Sequence, residues 1–284
     1  MNYTLKSSNI MPKFGIGTWC MGEVETEFQK EAEAIAFALE NGVRLIDTAE
    51  MYGEGKAESI IGDALKTLSI KREELFIVSK VYPHNAGRDK LFKSLENSLN
   101  RMGLKYLDMY LLHWRGRVPL SETVECMETA KKEGLIKDWG VSNFDIDDMK
   151  ELETIKDGDK CTVNQVLYHL GSRGVDYSLA PYMEGKNIAL MAYCPLAQSG
   201  GLGKDILKNN TILSIAKKHN AAPSQIALAF IMGFNNKIAI PKSSNKKHII
   251  ENIESQKIKL DDEDIAIINK EFPKPNKKMP LDIV

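Results

Sequence analysis

The chain has 284 residues, 43% apolar and 27% charged, which supplies a substantial core and argues against disorder. Its 38 basic and 39 acidic residues leave a formal charge of −1, favouring neither nucleic acid nor an anionic membrane as a partner. MNYTLKSSNIMP lacks the apolar segment of a signal peptide, and no stretch approaches the roughly 18 apolar residues of a membrane span.

Cys20, Cys126, Cys161 and Cys194 show neither CxxC nor paired spacing, so reduced thiols in a cytoplasmic protein are expected. The five histidines are scattered without an HExxH or a Cys/His cluster, and no metal is expected.

In chain order, YTLKSSNIMP reads as a short hairpin placed to plug one end of a barrel. Eight strand-like runs follow: 14–19, 43–49, 75–80, 106–113, 138–143, 162–168, 188–196 and 237–243. They are rich in β-branched and aromatic residues, as doubly buried parallel strands should be. Amphipathic helices alternate with them. Phe28, Ala32, Ile35 and Leu39 form one stripe, stopped by Asn41-Gly42. Ile60, Ile61, Ala64, Leu65 and Leu68 form the next. Leu91, Leu95 and Leu99 follow Asp89 as the expected N-cap and stop at Gly103, and Val124, Met127 and Ala130 follow Ser121 as theirs. Ile146, Met149 and Leu152 make another stripe, Pro223 opens PSQIALAFIM, and Ile249, Ile250 and Ile253 carry the last helix of the repeat. Residues 261–272 read as an extra helix, with a Pro- and Lys-rich tail running over the surface. Strand and helix alternating eight times without a compositional break predict one α/β domain over 1–284, a (β/α)8 TIM barrel.

Asp47 to Lys80 spans 33 residues, and Lys80 to His113 spans 33 again. That interval fits one strand, one helix and two loops, so a barrel would bring Asp47, Lys80 and His113, with nearby Tyr52, to one C-terminal rim. Taken singly, Asp47 and Lys80 would be an ordinary salt bridge and His113 a core histidine; their common phase in the repeat favours a site. A lysine beside Tyr52 should draw the phenol below its usual value near 10, with Asp47 keeping the lysine charged. Such a phenol can protonate a developing alkoxide, and His113 can hydrogen-bond the same oxygen. The set needs a hydride donor, which implies a nicotinamide.

Gly15 and Gly17 make G-x-G, but Cys20 holds the place of the third glycine, so the dinucleotide fingerprint is rejected. The Gly200–Gly203 cluster has no suitable strand-turn-helix before it. IPKSSNKKHIIEN (240–252) is the better phosphate site: an ammonium, hydroxyls and free N–H groups at a helix start.

LIDTAEMYG, VSKVYP and YLDMYLLHW, followed by GVSNF, NQVLYH, AYCPL and IPKSS, resemble the motifs of the aldo-keto reductase superfamily in its order and over essentially the whole chain. TAEMY, NQVLYHLGSRG, YCPLAQ and the ending PLDIV are most similar to its bacterial methylglyoxal-reductase-like branch. The resemblance implies reduction of an aldehyde or ketone by NADPH, with Tyr52 as general acid, Lys80 and Asp47 as its tuning pair and His113 orienting the carbonyl. It implies that Ser142, Asn143 and Gln165 hold the carboxamide and that Tyr193 stacks on the nicotinamide. Lys242 and Ser243 would grip the 2′-phosphate, with Glu251 and Asn252 near adenine. Gly17, Thr18, Trp19, Asp47, Leu196, Ile240, Ser244 and His248 complete the expected cofactor contacts. Trp19, Tyr52, Tyr82, His113 and Trp114 would line the substrate pocket.

Two departures stand out. His248 replaces an arginine that clamps the 2′-phosphate in many members, which predicts a weaker but surviving NADPH preference. Cys194 stands where serine is common, with little expected consequence. The short loops 115–122 and 197–205 suit small carbonyls such as methylglyoxal, short aldehydes or keto-sugars, and a monomer is expected. The alternatives are a keto-sugar reductase of the 2,5-diketo-gluconate type, a Schiff-base aldolase using Lys80, and a cofactor-binding regulatory protein of the same fold.

Overall fold

Alternate residues of a strand face opposite ways, and the computed structural model, which describes residues 1–197 and 205–284, shows what each face meets. The hairpin of β1 (Asn2–Thr4) and β2 (Ile10–Pro12) sets Tyr3 opposite Met11. Next come β3 (Gly15–Gly17), β4 (Leu45–Asp47), β5 (Phe76–Val81), β6 (Leu107–Leu112), β7 (Ile136–Ser142), β8 (Val163–Leu167), β9 (Ala189–Tyr193) and β10 (Lys237–Ala239), parallel neighbours in sequence order. The two ends of the sheet meet. Phe14 bridges Ala239 and Gly17 bridges Lys242, with Ala239 N donating to Lys13 O at 2.9 Å and Gly17 N to Pro241 O at 3.1 Å. The sheet is therefore a closed barrel.

One face of the strands fills the interior: Leu45, Phe76, Val78, Met109, Leu111, Val163, Met191 and Ile238. Tyr3, Leu5 and Met11 join this cluster, so the hairpin plugs the barrel as its sequence predicts. The other face, including Ile46, Ile77, Tyr110, Trp139, Val166 and Leu190, packs under the helices. These are α1 (Phe28–Glu40), α2 (Lys56–Lys66), α3 (Leu91–Met102), α4 (Leu120–Lys132), α5 (Ile146–Thr154), α6 (Leu179–Gly185), α7 (Asn210–Lys218), α8 (Pro223–Gly233), α9 (Lys246–Glu254) and α10 (Asp262–Glu271).

Gly103 ends α3 at φ 66°, Gly42 follows α1 at φ 92°, and Pro223 opens α8, all as read from sequence. Two expected caps are corrected. Asp89 does not cap α3, which starts behind Lys90 without a side-chain cap. Ser121 lies inside α4, because Pro119 holds the cap position and its carbonyl accepts from Glu122 N and Thr123 N. Helices α6 and α7 carry no expectation from sequence: α6 has only seven residues, and α7 follows the glycine-rich stretch. Positions 198–204 of the expected loop, with its Gly200–Gly203 cluster, lie outside the described residues.

The tail runs over the surface, as expected, and is tied down along its course. Arg173 donates to Phe272 O at 2.7 Å, Lys278 pairs with Asp145 at 3.3 Å, and Ser172 bonds to Asp282. Val284 thereby reaches the C-terminal end of the barrel, where it lines a cleft.

Candidate active site

In five of the eight barrel strands, the run of inward apolar residues gives way to a polar one at the C-terminal rim. Leu45 is followed two residues on by Asp47, Val78 by Lys80, Leu111 by His113, Val163 by Gln165 and Met191 by Tyr193. The two-residue strand period thus turns a regular sequence interval into a ring of functional groups.

At its centre Lys80 is fully buried. Its Nζ donates to Asp47 Oδ2 at 2.8 Å, to Thr48 O at 2.8 Å and to Tyr52 Oη at 3.1 Å. The ammonium also lies 4.7 Å from the centroid of the Tyr52 ring. Asp47 uses its other oxygen to accept from Gln165 Nε2 at 2.7 Å. Burial pushes the Asp47 carboxyl up and the Lys80 amine down, and their contact opposes both shifts. Three acceptors around Nζ match the three protons of an ammonium, so the pair is ionic.

Tyr52 departs from expectation. Burial, followed by the Asp47 charge and the nearby Cys194 and Cys20, holds its hydroxyl well above the ordinary tyrosine value. Asp47, expected to keep Lys80 charged, also acts on Tyr52 directly: its charge and the burial of the phenol outweigh the lysine. The group is therefore a protonated phenol at neutral pH. Such a phenol can protonate an alkoxide, which is a far stronger base than phenolate, and the Lys80 hydrogen bond would stabilise the resulting phenolate.

His113 is held down to about 2 by burial and then by Lys80, so its imidazole is neutral. Its ring stands edge-on to Tyr52 at 5.7 Å and 4.8 Å from Trp114, and its Nδ1 has no protein partner.

Sequence reasoning missed Glu58, fully buried on α2. It accepts from Ser79 Oγ and Arg101 Nε, both at 2.6 Å, and its charge favours protonated Lys80. The available signal was an acid within the apolar stripe Ala57–Ala64.

A cleft opens over these groups. Its walls include the expected Gly17, Trp19, Asp47, Tyr52, His113, Trp114, Ser142, Asn143, Gln165, Tyr193, Ile240 and Lys242, and also the unexpected Met51, Cys194 and Val284. The residues expected to hold an amide are brought together on this cleft, and Ser142, Asn143 and Tyr193 are bonded to one another. Tyr193 donates its hydroxyl proton to Asn143 Oδ1 at 2.9 Å, and Asn143 Nδ2 reaches His113 O and Ser142 Oγ, each at 3.2 Å. Asn143 sits at φ 58°, which turns the chain after β7. Tyr82 is not a wall of the cleft; it stands edge-on to Trp114 at 5.8 Å.

Thr18 is buried and donates to Asp47 O at 3.0 Å, and Leu196 packs on the core. A Cβ added at Gly17 would stand 3.0 Å from Ile240 O, so a side chain there would crowd the backbone that follows β10. Beyond Lys242, Ser243 Oγ accepts from Asn245 N at 3.1 Å. The free N–H groups expected at the start of α9 are partly taken, because Asn245 Oδ1 accepts from Lys247 N at 2.9 Å and His248 N at 3.3 Å. Ser244 shares a shallow hollow with Lys30, Glu33, Asn245, Lys246 and Lys247. His248 is exposed, Glu251 lies 3.8 Å from Lys247, and Asn252 is buried. Among the described residues no cluster of three or more His, Cys, Asp or Glu could hold a metal, and no helix is long and apolar enough to cross a membrane.

Residues 13–271 match the family model described as Aldo/keto reductase family. Methylglyoxal reductase YeaE of Escherichia coli is 44% identical over 274 residues, covering 96% of this chain and 95% of that protein. Glyoxal reductase of Bacillus subtilis is 37% identical, covering 91% and 88%. An aldo-keto reductase from Klebsiella pneumoniae, crystallised in complex with NADPH, superposes with a TM-score of 0.94 at 41% identity, covering 100% of this chain and 99% of that one.

Proposed function

The chain belongs to the aldo/keto reductase family, and from that premise we propose that it reduces small reactive carbonyls, methylglyoxal among them, with Tyr52 as the proton donor. It is an oxidoreductase of the NADP-dependent aldehyde reductase type, and NADPH is its cofactor.

The residues fit that cofactor. The cleft offers the half-buried Tyr193 ring and the Ser142, Asn143 and Gln165 polar groups at one end, and Lys242 at the other. Bound NADPH supplies hydride, which no protein side chain can. Ser142, Asn143 and Gln165 would hold the carboxamide, Lys242 and Ser243 the 2′-phosphate, and Glu251 and Asn252 the adenine.

One observation carries the mechanistic reading: Lys80 Nζ contacts Asp47 at 2.8 Å and Tyr52 Oη at 3.1 Å on the floor of this cleft. A substrate oxygen between the Tyr52 hydroxyl and the neutral His113 ring would meet donors from both. As the oxygen gains negative charge, Tyr52 gives up its proton and Lys80 stabilises the phenolate left behind. Trp19, Met51, Trp114 and Val284 wall the mouth and suit a short substrate. The methylglyoxal and glyoxal reductase names of the two relatives support the same class. The three hydrogen bonds at buried Lys80 speak against a Schiff base there, since an ammonium has no lone pair to attack with. A cytoplasmic monomer forms part of this proposal.

The test is an NADPH-oxidation screen over dicarbonyls, short aldehydes, aryl aldehydes and keto-sugars. The proposal expects methylglyoxal to show kcat/KM at least tenfold above any keto-sugar. Turnover of keto-sugars alone would make the chain a keto-sugar reductase, and no NADPH-dependent turnover would favour a regulatory role.

A further inference from the structure

Strand order brings two cysteines, 174 residues apart in sequence, to one side of the rim. β10 pairs with β9 and closes the barrel against β3, so the ends of β9, β10 and β3 lie side by side. Cys194 follows β9 and opens a turn in which Ala197 N donates to Cys194 O at 2.9 Å. Cys20 lies in the turn after β3, where Met21 N donates to Thr18 O at 2.9 Å. Both hold left-handed backbone, φ 48° at Cys194 and 61° at Cys20, a conformation most side chains avoid. Lys242, three residues beyond the intervening strand β10, bridges Gly17.

Cys194 lines the cleft, and Cys20, next in sequence to the cleft residue Trp19, is exposed. The two thiols interact electrostatically with each other and with Tyr52, and Cys20 also with Lys242 and Glu23. Cys126 and Cys161 are buried elsewhere, on α4 and ahead of β8.

Neighbouring strands are about 4.8 Å apart, so the ends of β3 and β9 are separated by about 10 Å. Cys20 lies three residues beyond β3 and Cys194 one residue beyond β9, and a disulfide needs the two turns to bring their Cα atoms within about 7 Å. Such a movement narrows the cleft between them.

We propose that Cys20 and Cys194 are an oxidative latch, which hydrogen peroxide closes into a disulfide that draws the two turns together and excludes NADPH. The exposed Cys20 thiolate attacks peroxide; the O–O bond breaks, hydroxide leaves and a sulfenic acid forms. Cys194 thiolate then attacks that sulfur, the S–S bond forms and a second hydroxide leaves. The sulfurs lose two electrons, peroxide gains two, and the two thiol protons complete two waters. A dithiol reductant reverses the bond. Burial and Glu23 raise the Cys20 thiol against the opposing pull of Lys242, so closure quickens as pH rises from neutrality.

Exclusion of NADPH rests on the cofactor reading above; formation of the cross-link does not. The test treats reduced, cofactor-free full-length protein with hydrogen peroxide, maps peptides without reduction, and follows NADPH binding by fluorescence. The expected result is a Cys20–Cys194 linked peptide, at least a tenfold loss of NADPH affinity, recovery with dithiothreitol, and slower cross-linking when NADP+ is present. Dimedone trapping of Cys20 without a link, no oxidation of either thiol, or a link that leaves affinity unchanged would each overturn the proposal. Cys20→Ser must abolish the link and keep NADPH affinity through the peroxide treatment; equal loss in that variant assigns the damage elsewhere and also overturns it. Failure of untreated, reduced protein to bind NADPH would instead refute the cofactor reading.

Discussion

Lys80 Nζ addresses Tyr52 twice, at the hydroxyl oxygen over 3.1 Å and above the ring face at 4.7 Å from the centroid. The same nitrogen holds Asp47 at 2.8 Å, so the cation that steadies phenolate also neutralises a buried carboxylate. These roles separate on mutation. Lys80→Met should lower carbonyl reduction by roughly a hundredfold or more through loss of support for phenolate. It should also lower stability by about 3–5 kcal/mol, because Asp47 is left buried without its partner. Adding Asp47→Asn should recover part of the stability and none of the activity. Chemical denaturation and steady-state reduction, measured on both variants, check the two effects; recovery of activity in the double variant would contradict the assignment.

Protonation of the site predicts its pH profile. Tyr52 is held well above the usual tyrosine value and His113 down to about 2, so neither changes state through neutrality. The kcat/KM for reduction should therefore stay flat between pH 6 and pH 8 and decline only in the strongly alkaline range where Tyr52 ionises. An inflection near the ordinary histidine value, about 6.5, would contradict a neutral His113.

The same burial sets a stability effect in acid. His113 is depressed to about 2 and His169 to about 4, both chiefly by desolvation. In the unfolded chain each binds a proton near pH 6.5, whereas the folded protein does not until those lower values. Stability therefore falls as pH drops below about 6.5, by roughly 2 kcal/mol per histidine by pH 5. His113→Asn should lose less stability than the parent between pH 7 and pH 5 in urea titrations. Equal losses would contradict the assignment.

Cofactor preference should respond to His248, which is exposed on the first turn of α9 near Lys246 and Lys247. Arginine there adds a fixed charge and a bidentate fork, so His248→Arg should tighten NADPH binding several-fold and leave NADH unchanged. Parallel fluorescence titrations with the two dinucleotides check this. Equal gains for both would place position 248 away from the 2′-phosphate.

The barrel and the central site were legible because one periodicity governs both. Asp47, Lys80 and His113 each stand two residues beyond an inward apolar side chain, so an interval of 33 residues carries strand register as well as repeat length. What was not legible depends on packing across the repeat. Glu58 stands within an apolar helix stripe, but its partners Arg101 and Ser79 come from α3 and β5 and no local pattern names them. The direction of the Tyr52 shift reverses because burial and Asp47 outweigh the lysine that sequence makes conspicuous. Ser121 was an attractive cap until Pro119 claimed the position. Met51 and Val284 reach the cleft through a turn and a tail whose paths no local pattern fixes.

The central claim is that the Tyr52 hydroxyl delivers the proton. Its most direct test is Tyr52→Phe, with NADPH affinity and carbonyl reduction measured on the same preparation. The account predicts affinity within about twofold of the parent and reduction lowered by roughly a hundred- to ten-thousandfold. Reduction within tenfold of the parent, with NADPH still bound, would show that another group supplies the proton.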